Sequence, residues 1–528
     1  MRRIQTWWLS FLLLFLSVLA PAAYAGGFSG QYQRIAGWDG AEMGAFVMVP
    51  KDQGPGPFPL LVMPASWAVP NLEYVGRGGQ LAAKGYVVVS YTSRGFWDSA
   101  GQIDIAGPGT VEDVSAVIDW ALANTPSDPN RIGASGISYG AGISLLAAER
   151  DPRIKAVAAL SGWADLEASL YANRTVSQQG AGLLVVAGAL TGRPGPELAQ
   201  ATARIALGDF DGAVAGLLPI VPQRSPMTEV AALNRNRTAV LLANAFNDSL
   251  FPPGQYVDFY NALSGPKQLL FAHGDHATIE APGALGLPNE TYTAVERWFD
   301  HHLKGADNGV PREPAVRLKS QTGDWRGYAD WNAVQSGATV FALSKPSGLI
   351  APTGELRSAP SVGWSQSILT GLPTVADSGV AMVSGFLQSL QVAPTASIPL
   401  VARAGAGVWQ SPVYWSGAQL SGMPQLRITV TPSQSEVSVF AYLYSVDLLG
   451  NGQLLSHKPY SLRGARPGVA QNLDLRLEAT SWDLAPGRRL VLVIDTADPR
   501  YTGASRIGGT LSFSSPASAP ATLTVPLR

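Results

Sequence analysis

The chain of 528 residues contains no cysteine. It therefore has no disulfide, no thiolate metal site, no catalytic thiol and no cysteine for tying an exported protein to a lipid. It also lacks a charge imbalance: 37 Lys and Arg stand against 38 Asp and Glu, a formal net of −1. No basic run with interleaved aromatics departs from that balance, which excludes a nucleic-acid binder. Histidine is scarce, five in all, so histidine chemistry can be sought by elimination. There is no internal repeat and no long low-complexity linker; the Ser/Ala/Pro-rich stretch 514–522 comes nearest, and reads as a loop before a last strand. What the chain has in quantity is apolar residues, 46%. Over this length they are too many for one core and predict a soluble globular protein of two or three domains.

Arg2 and Arg3 precede an apolar run, 7–20, interrupted only by Ser10 and Ser17, and Ala23-Tyr24-Ala25 supplies a small-residue cleavage signal. The run is short for a membrane span. Residues 1–25 are expected to be a cleaved signal peptide, leaving a periplasmic or secreted protein with no membrane attachment.

Short strands around an Asp39-Gly40 turn lead into two apolar runs, 57–63 and 86–91, of the kind buried in a parallel sheet. Thr110 with Asp113 three residues on forms a capping-box pattern, followed by Val114, Val117, Trp120 and Ala121 at helical spacing. Strands follow at 131–134 and 154–161, and the alternation predicts an α/β sheet with right-handed crossovers. From 166 to 236 the pattern turns Leu- and Ala-rich and helical, broken by Gly and Pro at 192–196 and 219–222, the length of an inserted cap. Strands 238–243 and 268–271 and an amphipathic helix 292–303 complete the sheet domain. Beyond about 311 come short β-like runs at 426–431, 437–446, 473–477 and 490–494, separated by turns such as Gly450-Asn451-Gly452 and Pro486-Gly487. The expected organisation is an α/β-hydrolase core at 26–165 and 237–308, a helical cap at 166–236, and an all-β jelly roll (β-sandwich) at 309–528.

The chemistry centres on Gly136-Ile137-Ser138-Tyr139-Gly140, a G-x-S-x-G nucleophile elbow between a strand and a helix rich in small residues. A serine hydroxyl attacks at neutral pH only when a base takes its proton, and the base is commonly a histidine held by a carboxylate, in the chain order Ser, acid, His. His273 and His276 follow the strand 268–271, whereas His301 and His302 lie on the closing helix and His457 in the β domain. Of the first two His276 is preferred, because Gly274-Asp275 carries it further out on the loop, and His273 is left to support the loop. Asp248, just after the strand 238–243, is the expected acid; Asp275 is the rival, disfavoured because sequence neighbours rarely face each other. The oxyanion is expected to be held by the Tyr139 backbone N–H and by a donor from the 64–67 turn.

Several stretches resemble the cocaine-esterase and Xaa-Pro dipeptidyl-peptidase family of α/β-hydrolases. They are the elbow 136–142, the loop from Arg94-Gly95 to Ser99-Ala100-Gly101, and the closing run Trp298-Phe299-Asp300-His301-His302-Leu303-Lys304-Gly305. Trp325-Arg326 with Trp331, and 484–495 with Asp498-Pro499-Arg500-Tyr501, resemble the start and end of that family's C-terminal domain. The resemblance implies Ser138, Asp248 and His276 as a triad and a jelly roll packed beside the site. Two positions depart from it. The run before the histidine is Ala272-His273-Gly274-Asp275 rather than G-P-W-x, and the family's oxyanion tyrosine is replaced by Ser66-Trp67, where Trp67 has an indole N–H or a backbone N–H to offer.

The sequence thus predicts an exported serine hydrolase cleaving small-molecule ester or amide bonds through an acyl-enzyme, with no metal and no cofactor. An Xaa-Pro dipeptidyl-peptidase acting on peptide N-termini is the alternative, and a non-catalytic carbohydrate- or protein-binding protein the more distant one. The apolar stretch 183–190 reads either as an acyl pocket or as the core of the cap. Substrate-binding residues and oligomeric state are not legible.

Overall fold

A computed structural model describes residues 27–528; the expected signal peptide lies outside the described residues. The first half of the chain builds a sheet of ten strands among the described residues. They are β1 (Phe28–Ala36), β2 (Glu42–Pro50), β3 (Phe58–Pro64), β4 (Val87–Tyr91), β5 (Ser127–Ile137), β6 (Ile154–Leu160), β7 (Ala239–Ala245), β8 (Lys267–Ala272), β9 (Val316–Lys319) and β10 (Trp325–Tyr328). Their order is 1-2-4-3-5-6-7-8-9-10, with β3 to β9 parallel to their neighbours and antiparallel pairs at either edge. This is the α/β-hydrolase arrangement. Every residue of β3, β4 and β7 is buried, as strands covered by helices on both faces must be.

The helices α1 (Val75–Ala82), α2 (Pro108–Asn124) and α3 (Tyr139–Arg150) connect the early strands. Helix α2 starts ahead of the expected cap: Pro108 takes the first helical position and Gly107 the cap position, a preorganised start. Thr110 is therefore inside the first turn. The carboxylate of Asp104 does the capping, accepting the N–H groups of Gly107 and Thr110 at 3.1 Å each. Asp113, the expected capping acid, instead receives the fork of Arg94 at 2.7 Å through both Nε and Nη2.

Between β6 and β7 the chain leaves the sheet as a cap containing α4 (Gln178–Thr191), α5 (Pro196–Ala206) and α6 (Phe210–Leu217). It returns through α7 (Gly254–Ala262) to the closing helix α8 (Glu290–Lys304). The Asn289 side chain caps α8 by accepting the Tyr292 N–H at 3.0 Å, and Gly305 ends it at φ 69°, a left-handed conformation that favours glycine. Tyr292, Val295, Trp298, Phe299 and Leu303 form its buried stripe. Burying one such large side chain is worth about 2–3 kcal/mol.

The first two strands after α8 do not join the sheet of the strands that follow them. β9 and β10 extend the first sheet, β9 pairing in parallel with β8. From Thr339–Leu343 onward the strands form a second large sheet, with Ala418–Gly422 and Thr480–Leu484 as a separate pair; in the large sheet Glu436–Val446 pairs antiparallel with Asn451–Arg463 on one side and with Arg489–Asp495 on the other. Its core, around Trp409, Leu443, Leu492 and Phe513, is distinct from that of the first sheet. A strap leaves this domain through α9 (Ser384–Ser389) and reaches the loops after β7 and β8.

Candidate active site

Ser138 sits between the last residue of β5 and the first of α3, at φ 57° and ψ −117°. A non-glycine residue there is strained, and the packing around it leaves no alternative. A Cβ on Gly136 would lie 2.4 Å from the Gly140 carbonyl carbon, and one on Gly140 would lie 2.0 Å from the Pro64 carbonyl oxygen. The two glycines let strand, turn and helix pass within backbone contact, and the serine is held at the C-terminal edge of the sheet.

The loops after β7 and β8 meet it there. Ser138 Oγ lies 2.8 Å from His276 Nε2, and His276 Nδ1 lies 3.0 Å from Asp248 Oδ2 and 3.2 Å from Oδ1. Asp248 Oδ1 also accepts the N–H groups of Leu250 at 2.9 Å and Phe251 at 2.7 Å, which fixes the carboxylate plane. All three side chains are buried, at 5%, 5% and 2% exposure for Ser138, His276 and Asp248. Burial works against a charged imidazole, but the carboxylate of Asp248, with Asp275 and Glu280 behind it, outweighs that and holds His276 above the ordinary histidine value.

The two rivals face elsewhere. His273 is clamped between Gln388 Oε1 (3.1 Å) and the Ser481 carbonyl (2.8 Å), with Phe246 and Trp482 at its ring. Asp275 accepts the N–H of Ser249 at 2.8 Å and of Gly385 at 3.2 Å, so it ties the acid loop and the strap together rather than facing the imidazole.

At the turn after β3 the indole of Trp67 is not turned to the serine. Its Nε1–H donates to the Leu184 carbonyl of α4 at 2.9 Å. The indole option for the oxyanion is thereby closed, because the N–H is committed to the cap. The backbone N–H groups of Trp67 and Tyr139 have no partner among the described residues. The Trp67 ring begins an arc of aromatic contacts that runs to Tyr139 (5.1 Å), Trp163 (6.0 Å), Phe251 (5.2 Å) and His276 (5.2 Å). The stretch 183–190 is not a buried core: Val186 and Leu190 are 57% and 81% exposed.

Two acids beside the relay had no local signature. Glu73 accepts the Ser66 N–H at 2.7 Å and the Ser66 hydroxyl at 2.6 Å, and so fixes the turn that carries Trp67. Desolvation pushes its carboxyl up to about 7 against those bonds. Glu280, fully buried, accepts the Ser161 hydroxyl at 3.0 Å and is likewise pushed up to about 7 by burial. No cluster of His, Asp and Glu among the described residues is arranged to hold a metal.

Two family models match the chain. Residues 39–278 match the family model of the X-Pro dipeptidyl-peptidase (S15 family), and residues 308–525 that of the X-Pro dipeptidyl-peptidase C-terminal non-catalytic domain. A putative Xaa-Pro dipeptidyl-peptidase of Bacillus anthracis is 19% identical over 469 residues, 82% of this chain and 73% of that protein. The aminopeptidase of a marine sediment Thaumarchaeota archaeon superposes with a TM-score of 0.74 at 15% identity, over 97% of this chain and 98% of that one. A CocE/NonD family hydrolase of Staphylococcus aureus gives 0.71 at 14% identity, over 96% and 97%. At such identities the superpositions speak for the fold.

Proposed function

The chain belongs to the S15 family of X-Pro dipeptidyl-peptidase-type serine hydrolases, and from that premise we propose that it cleaves ester or amide bonds through Ser138, His276 and Asp248. The observation that carries this reading is the contact of 2.8 Å between Ser138 Oγ and His276 Nε2, continued to Asp248. His276 takes the serine proton as Oγ attacks the carbonyl carbon, and Asp248 orients the ring and balances the imidazolium. The negative charge that develops on the carbonyl oxygen falls to the N–H groups of Tyr139 and Trp67. Collapse of the tetrahedral species passes the proton from His276 to the leaving alcohol or amine and leaves an acyl group on Ser138. Water, deprotonated by the same imidazole, then releases the acid.

The aromatic arc favours substrates with an apolar acyl or aryl part. Both carboxylate oxygens of Glu73 are engaged by Ser66, so it is poorly placed to hold the ammonium of a peptide N-terminus, and the ester or amide reading ranks above the dipeptidyl-peptidase one. Residues 1–25 are proposed to direct export to the periplasm or beyond. An activity panel of aryl esters, simple amides and Xaa-Pro amides, run on the wild type and on Ser138→Ala, tests the reading. Hydrolysis of the esters by the wild type alone is expected. Turnover confined to Xaa-Pro amides would transfer the assignment to the dipeptidyl-peptidase, and undiminished turnover by Ser138→Ala would remove the nucleophile.

A further inference from the structure

The strap that carries α9 is anchored in the C-terminal domain at both feet. Ser378 donates to Asp498 through its N–H at 2.8 Å and its hydroxyl at 3.1 Å, and Thr395–Ser397 pairs antiparallel with residues 451–453. Between the feet, Gly385 and Gln388 are both buried. They stand three positions apart on α9 and so share one face of its short helix. That face meets the loops after β7 and β8, which carry the acid and the base.

Those loops are where the relay has least support from regular structure. Ser138 is fixed between a strand and a helix, but Asp248 and His276 lie beyond the ends of β7 and β8. The last backbone bond between the two strands runs from the Phe246 N–H to the Ala272 carbonyl at 2.9 Å, and past it no backbone–backbone hydrogen bond joins the two loops among the described residues.

Side chains and the strap make the connection instead, on both flanks of Asp248. On one flank the Gln388 amide meets the side-chain amide of Asn247 and lies 3.1 Å from His273 Nδ1. On the other, the Gly385 N–H donates to Asp275 Oδ2 at 3.2 Å, while Asp275 Oδ1 accepts the N–H groups of Ser249 and of His276 itself at 2.8 Å each. The Met382 N–H adds a bond to Ser249 Oγ at 3.0 Å. The approach leaves no slack, since a Cβ on Gly385 would lie 2.7 Å from Asp275 Cβ and 2.8 Å from its Cγ.

We propose that the strap is a staple for the relay: Gln388 and Asp275 are positioning residues through which the C-terminal domain holds the acid and base loops at the spacing that His276 and Asp248 require. The domain matched by the non-catalytic family model then contributes to the reaction through geometry. The inference rests on the triad assignment above.

The test is the steady-state kinetics of Gln388→Leu and Asp275→Asn on an aryl ester, run beside Ser138→Ala. Gln388→Leu removes both amide contacts at similar volume. Asp275→Asn offers one accepting oxygen where two are used, so its NH2 group faces a backbone N–H. A displacement of about 1 Å in a catalytic group costs up to about 10²-fold, so kcat falls about 10- to 100-fold in each variant, with KM within about threefold of the wild type. Gln388→Leu also shifts the acid limb of kcat/KM to lower pH although it removes no charge. Burial works against a charged His276 and the bond to Asp248 raises it, so a looser bond gives up part of that rise. The other acids around the imidazole, Asp275 and Glu280 behind it and Glu73 beyond the β3 turn, are untouched by this variant.

A kcat within threefold of the wild type in either variant overturns the proposal. A raised KM with kcat unchanged puts the strap at the substrate rather than behind the relay and also overturns it. A fall in kcat for Gln388→Leu with the acid limb unmoved marks a merely structural role, with the same consequence. If Gln388→Leu does not hold the fold, Gln388→Asn, still polar but one methylene short of spanning both loops, decides by the same fall in kcat and shift of the limb. An active Ser138→Ala enzyme would sink the triad assignment, whereas an inert one beside an unimpaired Gln388→Leu sinks only this inference.

Discussion

Replacing Gly140 with alanine is the smallest change that separates the two halves of the proposed oxyanion site. The added methyl would lie 2.0 Å from the Pro64 carbonyl oxygen, 3.0 Å from its carbon and 3.5 Å from the Ala65 oxygen. All three belong to the backbone at the end of β3, so no side chain can swing aside. Relief requires the start of α3 and the β3 turn to part by roughly 1 Å. Tyr139 and Trp67 stand on opposite sides of that contact, so the separation withdraws one N–H from the developing negative charge. Loss of one such donor costs about 3 kcal/mol, or 10²–10³ in kcat, and the overpacking costs stability of about 1–3 kcal/mol. Stopped-flow or steady-state hydrolysis of an aryl ester, with thermal unfolding alongside, reads both. The control is Gly182→Ala in α4, where a methyl meets nothing within 4 Å; it should leave kcat alone and stabilise by about 0.5–1 kcal/mol. A Gly140→Ala enzyme within threefold of the wild-type kcat would refute the reasoning.

Further predictions concern the acids and the cap. His276 must be neutral to act as base, and its pKa is raised, so kcat/KM should fall as the pH drops through a value above about 6.5; an acid limb well below that would contradict the electrostatics of the relay. Glu280 holds a proton up to about 7 in the fold, whereas the unfolded chain releases it near the ordinary value. Stability should therefore decline as the pH rises between about 4.5 and 7, and Glu280→Gln should remove roughly 3 kcal/mol of that decline. Unfolding of wild type and variant at pH 5 and pH 8 measures the difference, and parallel pH profiles would count against it. Trp67→Phe breaks the bond to Leu184 but spares the backbone N–H. It should raise KM with kcat within about fivefold, since a fall of 10²–10³ in kcat is the mark of a lost oxyanion donor.

Much of the fold is legible because its signals are local. The elbow needs glycines at fixed offsets, buried parallel strands read as apolar runs, and the histidine and acid come on loops directly after strands. What stays hidden depends on distant partners. Thr110 and Asp113 fit a capping box, yet Asp104 caps α2 and Asp113 is drawn to Arg94. β9 and β10 pair onto β8 and so extend the first sheet, and a short strand's own pattern does not name the sheet it joins. The Trp67 indole finds Leu184 across 117 positions, and the Glu73–Ser66 clamp and the strap at Gly385 reach the site through contacts that no spacing rule encodes.

The most direct test is to locate the covalent adduct left by a fluorophosphonate on the folded protein. One equivalent on the peptide containing Ser138, with ester hydrolysis lost in proportion and no adduct in His276→Ala, is the predicted outcome. Full hydrolytic activity after stoichiometric labelling, or an adduct on another residue, would contradict the account.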